Sequence, residues 1–455
     1  MEYEELLEQL RPLLDEGRTR EVEELIAEFP YQDVAALIML LDTEQRAVLF
    51  KLLERSRAAE VFAYLSFDTQ HALLDQCSDE ETRNILGELT PDDRTALFEY
   101  LDAEHAEQLM QFLPAEERAE ATELLGYPDE SIGRMMTPEY IAVRADWSVE
   151  QCLAHMRSQR EQAEIVNVVY VTDTNGELLD SLSIRRFLVA DPATKVSELM
   201  DESSSSLTAN IAVAATEDRE HAVEVLQHYD LRALPVVDEG NRLLGIVTPD
   251  DVMDVAEEEA TEDFQRIAGV GVLNFSIRDA GLKLLYQRRV GWLVLLVFIN
   301  MIGGEIIEAY EDMIAAVIVL VTFLPLVVDT GGNAGTQSAT LMVRALATGD
   351  VRSKDWLRLW GKEAGVAIAL GLTVGAAVWA LGLYRGGLDI AWVVALSMTC
   401  VVFFGSMIGM LLPFILAKFR LDPATASAPL ITSIADIGGI LIYFAIATAM
   451  LGHMM

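Results

Sequence analysis

The stretch TSIADIGGILIYF, residues 432–444, combines a strongly apolar run with a single carboxylate, Asp436. An aspartate in the middle of a membrane span costs about 2.5–3.5 kcal/mol on insertion scales, so such a residue usually serves a function. Thr432, Asp436, Gly439 and Tyr443 are spaced so that they share one face of a helix. The stretch therefore predicts a membrane helix with a functional carboxylate. The alternative is a structural aspartate that is capped by a polar side chain of a neighbouring helix.

The C-terminal part of the chain contains further apolar segments like this one. We expect five transmembrane helices, at roughly 290–309, 313–343, 364–384, 390–417 and 425–451. Most of these segments are long enough to cross a bilayer, which takes about 20 residues. Lysine and arginine are concentrated in alternate links, which predicts a cytoplasmic N-terminus and an external C-terminus. Proline and glycines in the second segment predict a helix that is broken and has freed carbonyl groups.

Charge divides the chain into two parts. The 455 residues carry a formal net charge of −39, but residues 1–263 hold 60 acids and 20 bases, whereas residues 264–455 hold 12 acids and 13 bases. An acidic soluble part, which we expect in the cytoplasm because no signal peptide precedes it, is joined to a nearly neutral membrane part. Such acidity attracts cations and repels nucleic acid, so we expect divalent cations and no nucleic acid as partners. Solubility or a saline habitat is the alternative explanation.

Residues 41–125 repeat with a period of 12. Leucine recurs at positions 41, 53, 65, 89, 101 and 113, with Cys77 in the remaining place. Helix-start signals follow, such as LTPDDR, in which Thr90 is a suitable N-cap and Pro91 suits the first turn. Helices this short cannot bury their apolar stripes alone, so we expect an all-α superhelical solenoid over residues 1–130. An irregular helical bundle is the alternative.

Residues 131–197 and 198–260 form two comparable halves, each of which predicts the order β-α-β-β-α. The hairpin signals DTNGEL and DEGNRL connect their β-branched runs. The two halves resemble a tandem pair of CBS domains, which are regulatory α/β modules, and the second ends in the family pattern GIVTPDD. The resemblance implies that Asp251 could hold the ribose of an adenine nucleotide such as ATP. Arg186 stands at the matching position of the first half, which therefore departs from the nucleotide-binding pattern.

An acidic run connects these modules to the membrane segments. At helical spacing it forms two acidic faces, Asp251, Asp254 and Glu258 on one and Glu259, Glu262 and Asp263 on the other. Like charges this close repel unless cations lie among them, and hard divalent cations prefer oxygen ligands. The alternative is a solvated charged helix. We expect residues 261–289 to form an amphipathic connecting helix along the membrane surface, followed by the pore domain at 290–455.

Three long motifs in this domain order resemble the MgtE family of magnesium channels and transporters. They are IVTPDDVMDVAEEEATEDF (246–264), GGNAGTQSATLMVRALA (331–347) and LDPATASAPLITSIADIGGILIYF (421–444). The resemblance covers essentially the whole chain. It implies a homodimer with the pore on the dimer axis, in which Asp436 binds hydrated Mg2+. It also implies that Mg2+ bound to the cytoplasmic domains keeps the pore shut.

The resemblance also indicates which residues form the sites. The regulatory Mg2+ ligands map to Glu220, Asp230, Asp251, Asp254, Glu259, Glu262 and Asp263. With the polar residues of the second segment, the expected pore lining is Pro325, Asn333, Thr336, Ala428, Thr432 and Gly439. Ala428 stands where some relatives have a polar residue, and Asp329 adds a carboxylate before the GGN motif.

These patterns predict a magnesium channel or transporter of the plasma membrane rather than an enzyme. An ion-coupled secondary transporter is one alternative. A second is an intramembrane aspartyl protease, since DTG at 329–331 and Asp436 supply two membrane carboxylates. The protease leaves the CBS pair and the acidic run unexplained. Selectivity among magnesium, manganese, cobalt and calcium is left open by the sequence.

Overall fold

The computed structural model describes residues 2–159, 163–200, 211–273, 280–419 and 421–452. They form two compact units, residues 1–259 and 260–455. Each unit has apolar cores of its own. The division agrees with the change in composition near residue 263, because the first unit holds the acidic part of the chain and the second holds the apolar part.

Residues 2–124 fold into short helices that are joined by turns. The helices are α1 Glu2–Asp15, α2 Thr19–Ile26, α3 Tyr31–Leu40, α4 Thr43–Lys51, α5 Arg55–Ala63, α6 Phe67–Leu74, α7 Asp79–Glu88, α8 Pro91–Tyr100, α9 Ala103–Met110 and α10 Ala115–Leu124. From α4 to α10 a helix starts every 12 residues, which confirms the period predicted from the leucines. Leu41, Leu65 and Leu113 are buried in one continuous core, so neighbouring helices cover stripes that none could bury alone.

The two following modules confirm the predicted β-α-β-β-α order. The first contains α11 Ile132–Met135, β1 Ala142–Arg144, α12 Val149–Gln159, β2 Val168–Thr172, β3 Leu178–Ser183, α13 Ile184–Val189 and α14 Val196–Leu199. The second contains β4 Val213–Ala214, α15 Arg219–Tyr229, β5 Leu234–Val237, β6 Leu243–Val247 and the start of α16, Pro249–Ile267. In each sheet the first two strands, which are joined through a helix, are parallel. The second and third strands, which are joined by a hairpin, are antiparallel. This is the expected CBS-type pair.

The connecting region differs from the amphipathic helix expected over residues 261–289. The helix α16 ends at Ile267, residues 268–273 are not helical, and the next helix, α17 Leu282–Ala309, already contains Arg288 and Arg289. Residues 274–279 lie outside the described residues. Gly269 adopts a φ of +70°, which a helix cannot contain. The helix α16 therefore ends before Gly269, and Arg288 and Arg289 belong to α17.

The second unit continues with apolar helices. They are α18 Glu311–Ala316, α19 Leu324–Ala347, α20 Trp356–Lys418 and α21 Ala428–Leu451. Among the described residues, α17, α20 and α21 are long and apolar enough to cross a membrane. Gly387, with a φ of +81°, divides the 63 residues of α20 into two segments, and Gly371, Gly375 and Gly382 of the first segment pack closely on the second. The α20 hairpin matches the third and fourth expected spans, while the total of five remains a prediction.

The second expected span is not broken at its glycines. The helix α19 runs without interruption through Gly331, Gly332 and Gly335, and Pro325 lies in its first turn, where no backbone hydrogen bond is lost. The irregular backbone lies before α19, in a 3₁₀ turn at Ile318–Thr322. The expectation of a helix loosened at these glycines was therefore wrong. Their role is in packing against neighbouring helices, as described below.

Candidate functional site

Asp436 lies on α21 where this helix packs against α19. A Cβ atom added to Gly332 of α19 would lie 3.1 Å from Cγ2 of Thr432 and 3.5 Å from Oδ1 of Asp436. Asp436 is half-buried. Because Gly332 has no side chain, the methyl group of Thr432 and the carboxylate of Asp436 lie close to the backbone of α19, while the hydroxyl of Thr432 donates a hydrogen bond of 3.0 Å to the carbonyl oxygen of Pro429. The two residues are thereby held on a surface that a larger side chain would cover.

The rest of the predicted face of α21 also contacts α19 or the turn before it. Gly439 approaches Val328, with 3.9 Å between an added Cβ atom and the Cα atom of Val328. Tyr443 is fully buried and donates a hydrogen bond of 2.9 Å to the carbonyl oxygen of Leu320. Rising residue numbers on α21 thus meet falling numbers on α19, so the two helices are antiparallel.

The second segment of α20 also packs against α19, on a different face from α21. A Cβ atom at Gly405 would overlap the carbonyl oxygen of Gly331, and one at Gly409 would overlap that of Gly335. The spacing of four places each glycine pair on one helix face, as in close membrane helix crossings. The backbone of α19 is therefore fixed against its neighbours, which fixes the position of Gly332 under Asp436. At Gly438 the close neighbour is the ring of Phe404 on the second segment of α20.

A polar stripe runs along the exposed face of α19. Pro325, Asp329, Asn333 and Gln337 are four residues apart and are exposed in the single chain. Asn333 donates a hydrogen bond of 3.0 Å from Nδ2 to Oδ2 of Asp329. Lipid cannot satisfy such groups, so in a membrane this face requires water or another protein surface.

Two other expected lining residues are less exposed. Thr336, on α19, is half-buried, and its buried Oγ1 has no hydrogen-bond partner among the described residues. Ala428 is half-buried at the first position of α21.

The end of α16 is fastened to the segment that precedes α21. Arg266 forms ion pairs with Glu262, one turn earlier, and with Asp422. A Cβ atom at Gly269 would lie 2.6 Å from Nε1 of Trp292 and 3.2 Å from Cγ of Pro429, in the first turn of α21. Arg266 and Asp422 were not predicted as site residues. The sequence signal that could have identified Arg266 is its position as a base directly after the acidic run.

In the first unit, α8 brings two aspartates to the start of α16. Burial and then the charge of Asp92 raise the pKa of Asp251 to about 9. Burial and then Asp92 also raise the pKa of Asp93 to about 7. Thr248 donates its hydroxyl to both Asp250 and Asp251. The hydrogen bond from Thr248 lowers the pKa of Asp251, because it favours the ionised form. Burial and the neighbouring acids raise this pKa by more than the hydrogen bond lowers it.

Two glutamates of the first CBS-type module extend this cluster. Burial and then the charge of Asp92 raise the pKa of Glu164 to about 7, and burial also raises the pKa of Glu139. Burial and then Asp250 raise the pKa of Asp254. We call Asp92, Asp93, Glu139, Glu164, Asp250, Asp251 and Asp254 the acidic cluster. Its α8 members were missed because LTPDDR was interpreted as a helix start alone.

The other predicted regulatory residues are separated. Glu220 lies in the first turn of α15 and Asp230 directly follows its end, which puts them about 15 Å apart along the helix. Arg219 pairs with Glu258 and with Glu259 at 3.0 Å each. Across the parts of the chain that the structure describes, no three histidine, cysteine, aspartate or glutamate residues are grouped so that they could hold a metal ion. One chain therefore does not assemble the predicted ligand set into one site.

Comparison with known proteins now decides the family. Residues 324–446 match the family model described as "Divalent cation transporter", residues 29–130 match the MgtE intracellular N domain, and residues 132–193 and 196–258 match the CBS domain. The magnesium transporter MgtE of Bacillus subtilis is 33% identical over 99% of this chain and 98% of its own length. The chain belongs to the MgtE family. The MgtE of Thermus thermophilus is 40% identical over 73% of both chains.

Solved structures agree with the domain organisation of this MgtE-family chain. The cytosolic domain of the Mg2+ channel MgtE in complex with ATP matches 55% of the chain and 99% of its own length, with 37% identity and a TM-score of 0.50. The soluble part of a magnesium transporter matches 57% of the chain and 99% of its own length, with 28% identity and the same TM-score. The predicted family, the helical N-domain, the CBS pair and the helical membrane part are confirmed. Membrane transport of Mg2+ is the activity that the family supports.

Proposed function

We propose that this MgtE-family chain is a homodimeric Mg2+ channel of the plasma membrane, whose pore passes Asp436 and is held shut by intracellular Mg2+. The observation that carries the proposal is the position of Thr432 and Asp436 over Gly332 of α19. A half-buried carboxylate suits an ion that keeps part of its water shell, since Mg2+ dehydrates reluctantly and is held by one or two carboxylates.

The polar stripe of α19 supports a second subunit. Asp329, Asn333 and Gln337 are exposed on a helix of the membrane unit, and exposure to hydrocarbon would be costly for each. A copy related by a two-fold axis would present the same stripe, so the two stripes would enclose a polar path. In this arrangement Pro325, Asn333, Thr336, Ala428, Thr432 and Gly439 line the path. Five spans, a cytoplasmic N-terminus and an external C-terminus complete the topology that we propose.

The acidic cluster supports regulation by a cation. Asp92 is buried and Asp93 and Asp251 are half-buried, and each opposes the ionisation of the others. A bound divalent cation would relieve this repulsion. A cation that binds the closed state better than the open state shifts the population toward closed. The predicted ligands Glu220, Asp230, Asp251, Asp254, Glu259, Glu262 and Asp263 would then act in the dimer, together with Asp92 and Asp93 of α8.

Two further roles belong to the proposal. Asp251 accepts a hydrogen bond of 2.6 Å from Thr248 in the second CBS module and would orient a ribose there. The solved complex of a related cytosolic domain with ATP supports a nucleotide at these modules. Arg186 of the first module donates instead to the carbonyl oxygen of Leu199, at 2.6 Å. We propose no catalytic role for any residue, in line with relatives that are named as transporters.

Flux into liposomes distinguishes a channel from a coupled transporter. The purified chain is reconstituted and Mg2+ entry is followed with an internal indicator, with sodium and proton gradients imposed or collapsed. A channel continues to pass Mg2+ when both gradients are collapsed and the membrane potential is held. Loss of flux without an imposed gradient would favour the ion-coupled transporter instead.

Limited proteolysis tests regulation separately. With increasing Mg2+, cleavage of the full chain within residues 1–263 should slow at concentrations that also inhibit flux. The Asp92→Asn/Asp251→Asn variant should require more Mg2+ for both effects. Protection that is unchanged in this variant would exclude the acidic cluster as the sensor while leaving the transport activity intact.

A further inference from the structure

A basic and aromatic surface lies at the start of α20, on a chain that is otherwise strongly acidic. Between residues 352 and 362 there are four bases and one acid. Lys354, Arg358 and Lys362 are four residues apart and all are exposed. Trp356 and Trp360 are also one turn apart, with 45% and 39% of their surface exposed. We call these five residues the basic surface.

The bases of the basic surface form no ion pairs among the residues that the structure describes. Within the described residues, no carboxylate forms an ion pair with Lys354, Arg358 or Lys362. Their position near the beginning of a helix is also unfavourable, because the helix dipole favours negative charge there. The first turn of α20 contains no acid. These bases therefore add nothing to the stability of the helix and remain available to an external anion.

The length of α20 places this surface at the membrane boundary. Its first segment, from Trp356 to the break at Gly387, is about 45 Å long, whereas the hydrocarbon core is about 30 Å thick. Residues 364–384 contain no charged side chain and are long enough to fill that core. The first turns, which hold the charges, therefore extend into the headgroup layer. Leu359 packs on a core that contains Met410 and Phe414, which holds these turns in place. Tryptophan is enriched at this depth because its ring is apolar and its N–H is polar.

We propose that the basic surface binds the headgroups of anionic phospholipids. Three evenly spaced positive charges complement the phosphate groups, and the two indole rings would lie among the upper acyl chains and glycerol groups. The preference for lysine and arginine on the cytoplasmic side accounts for the number of bases in a link but not for their even spacing across the 3₁₀ turn Ser353–Asp355 and the first turns of α20. The acidic first unit of the chain is the competing partner, and a titration with lipid distinguishes the two.

Native mass spectrometry of the full chain in a neutral detergent tests the proposal. The chain is titrated with short-chain phosphatidylglycerol and, in parallel, with phosphatidylcholine and with glycerol 1-phosphate. We expect phosphatidylglycerol to bind and the two other probes to bind far more weakly. In K354Q/R358Q/K362Q the affinity for phosphatidylglycerol should fall roughly 10- to 100-fold, since each base near an anionic surface contributes to binding.

Matched variants separate this site from general charge effects. R185Q/K195Q/R242Q removes the same three charges from exposed positions of the first unit and should leave lipid binding unchanged. K354R/R358K/K362R keeps the charge and should retain binding, which shows that loss does not come from misfolding. Equal lipid binding by K354Q/R358Q/K362Q and the wild-type chain would overturn the proposal. The melting temperature of K354Q/R358Q/K362Q is also measured against salt concentration. If its salt dependence differs from that of the wild-type chain, and phosphatidylglycerol does not change this difference, the basic surface pairs with the acidic unit and the proposal is wrong.

Discussion

The two units place carboxylates in opposite surroundings. Asp436 in the membrane unit lies against the bare backbone of Gly332, in a helix crossing that is fixed by Gly331 and Gly335. Asp251 in the first unit is half-buried near Asp92 and Asp93, and its pKa is raised to about 9. The first arrangement positions one carboxylate by packing. The second brings several carboxyl groups together, so that each opposes the ionisation of the others, and we propose that it responds to cations. Rigid packing suits selection of an ion, and repulsion suits its detection.

The largest effect is expected where packing positions the charge. In Gly409→Val the new side chain would overlap the carbonyl oxygen of Gly335, and overpacking against backbone costs about 3 kcal/mol or more. The membrane unit should lose its folded state, seen as a large fall in melting temperature and in Mg2+ flux. Gly365→Val lies on the same helix with no atom within 4 Å of the added Cβ. It should behave like the wild-type chain, and an equal loss in both variants would contradict the close crossing.

The sequence predicted the local features of both units and missed the contacts between distant segments. The 12-residue period gave the helix starts from Thr43 to Ala115, because burial of one leucine per helix is a local requirement. Gly331 and Gly335 were assigned to a broken helix, because their effect depends on Gly405 and Gly409, more than 70 residues away. Asp92 and Asp93 were likewise missed, since only tertiary packing brings α8 to the start of α16.

The next effect concerns the repulsion in the acidic cluster. Asp92→Asn/Asp251→Asn removes two carboxyl groups whose ionisation is opposed by burial and by neighbouring acids, so at about pH 9 the chain should be more stable in the absence of Mg2+. The Mg2+ concentration for half-inhibition of flux should rise about tenfold, equivalent to about 1.4 kcal/mol of lost cation binding. Glu4→Gln/Glu8→Gln removes two exposed charges of the same unit and should change neither property. A lower stability of the aspartate variant without Mg2+ would show that the cluster is not under repulsion.

A pH dependence follows from the same cluster. The unfolded chain releases carboxyl protons near pH 4, whereas burial raises the pKa of Asp93 and Glu164 to about 7 and of Asp251 to about 9. The folded state binds more protons within this window, so its stability should decrease as pH rises. In chelator, melting temperature should fall by a few degrees between about pH 6 and pH 9. Mg2+ should oppose the fall, and a rise with pH would contradict the assignment.

The smallest effect is expected at the contact that joins α16 to the segment before α21. Arg266→Gln breaks the ion pairs with Glu262 and Asp422, and partly exposed pairs contribute about 0.2–1 kcal/mol. The Mg2+ concentration for half-inhibition should shift up to about fivefold, while maximal flux stays the same. Arg266→Asp combined with Asp422→Arg should restore part of the shift. An unchanged concentration in Arg266→Gln would exclude this contact from regulation.

The central claim is that Asp436 binds the transported ion, and Mg2+ flux through the Asp436→Ala variant tests it most directly. The variant is compared in liposomes with the wild-type chain and with Asp389→Asn, which alters an exposed carboxylate just after the break at Gly387. We predict that Asp436→Ala folds, reaches the membrane and loses flux by about two orders of magnitude or more, while Asp389→Asn retains most of it. Wild-type flux through a folded Asp436→Ala chain would contradict the account.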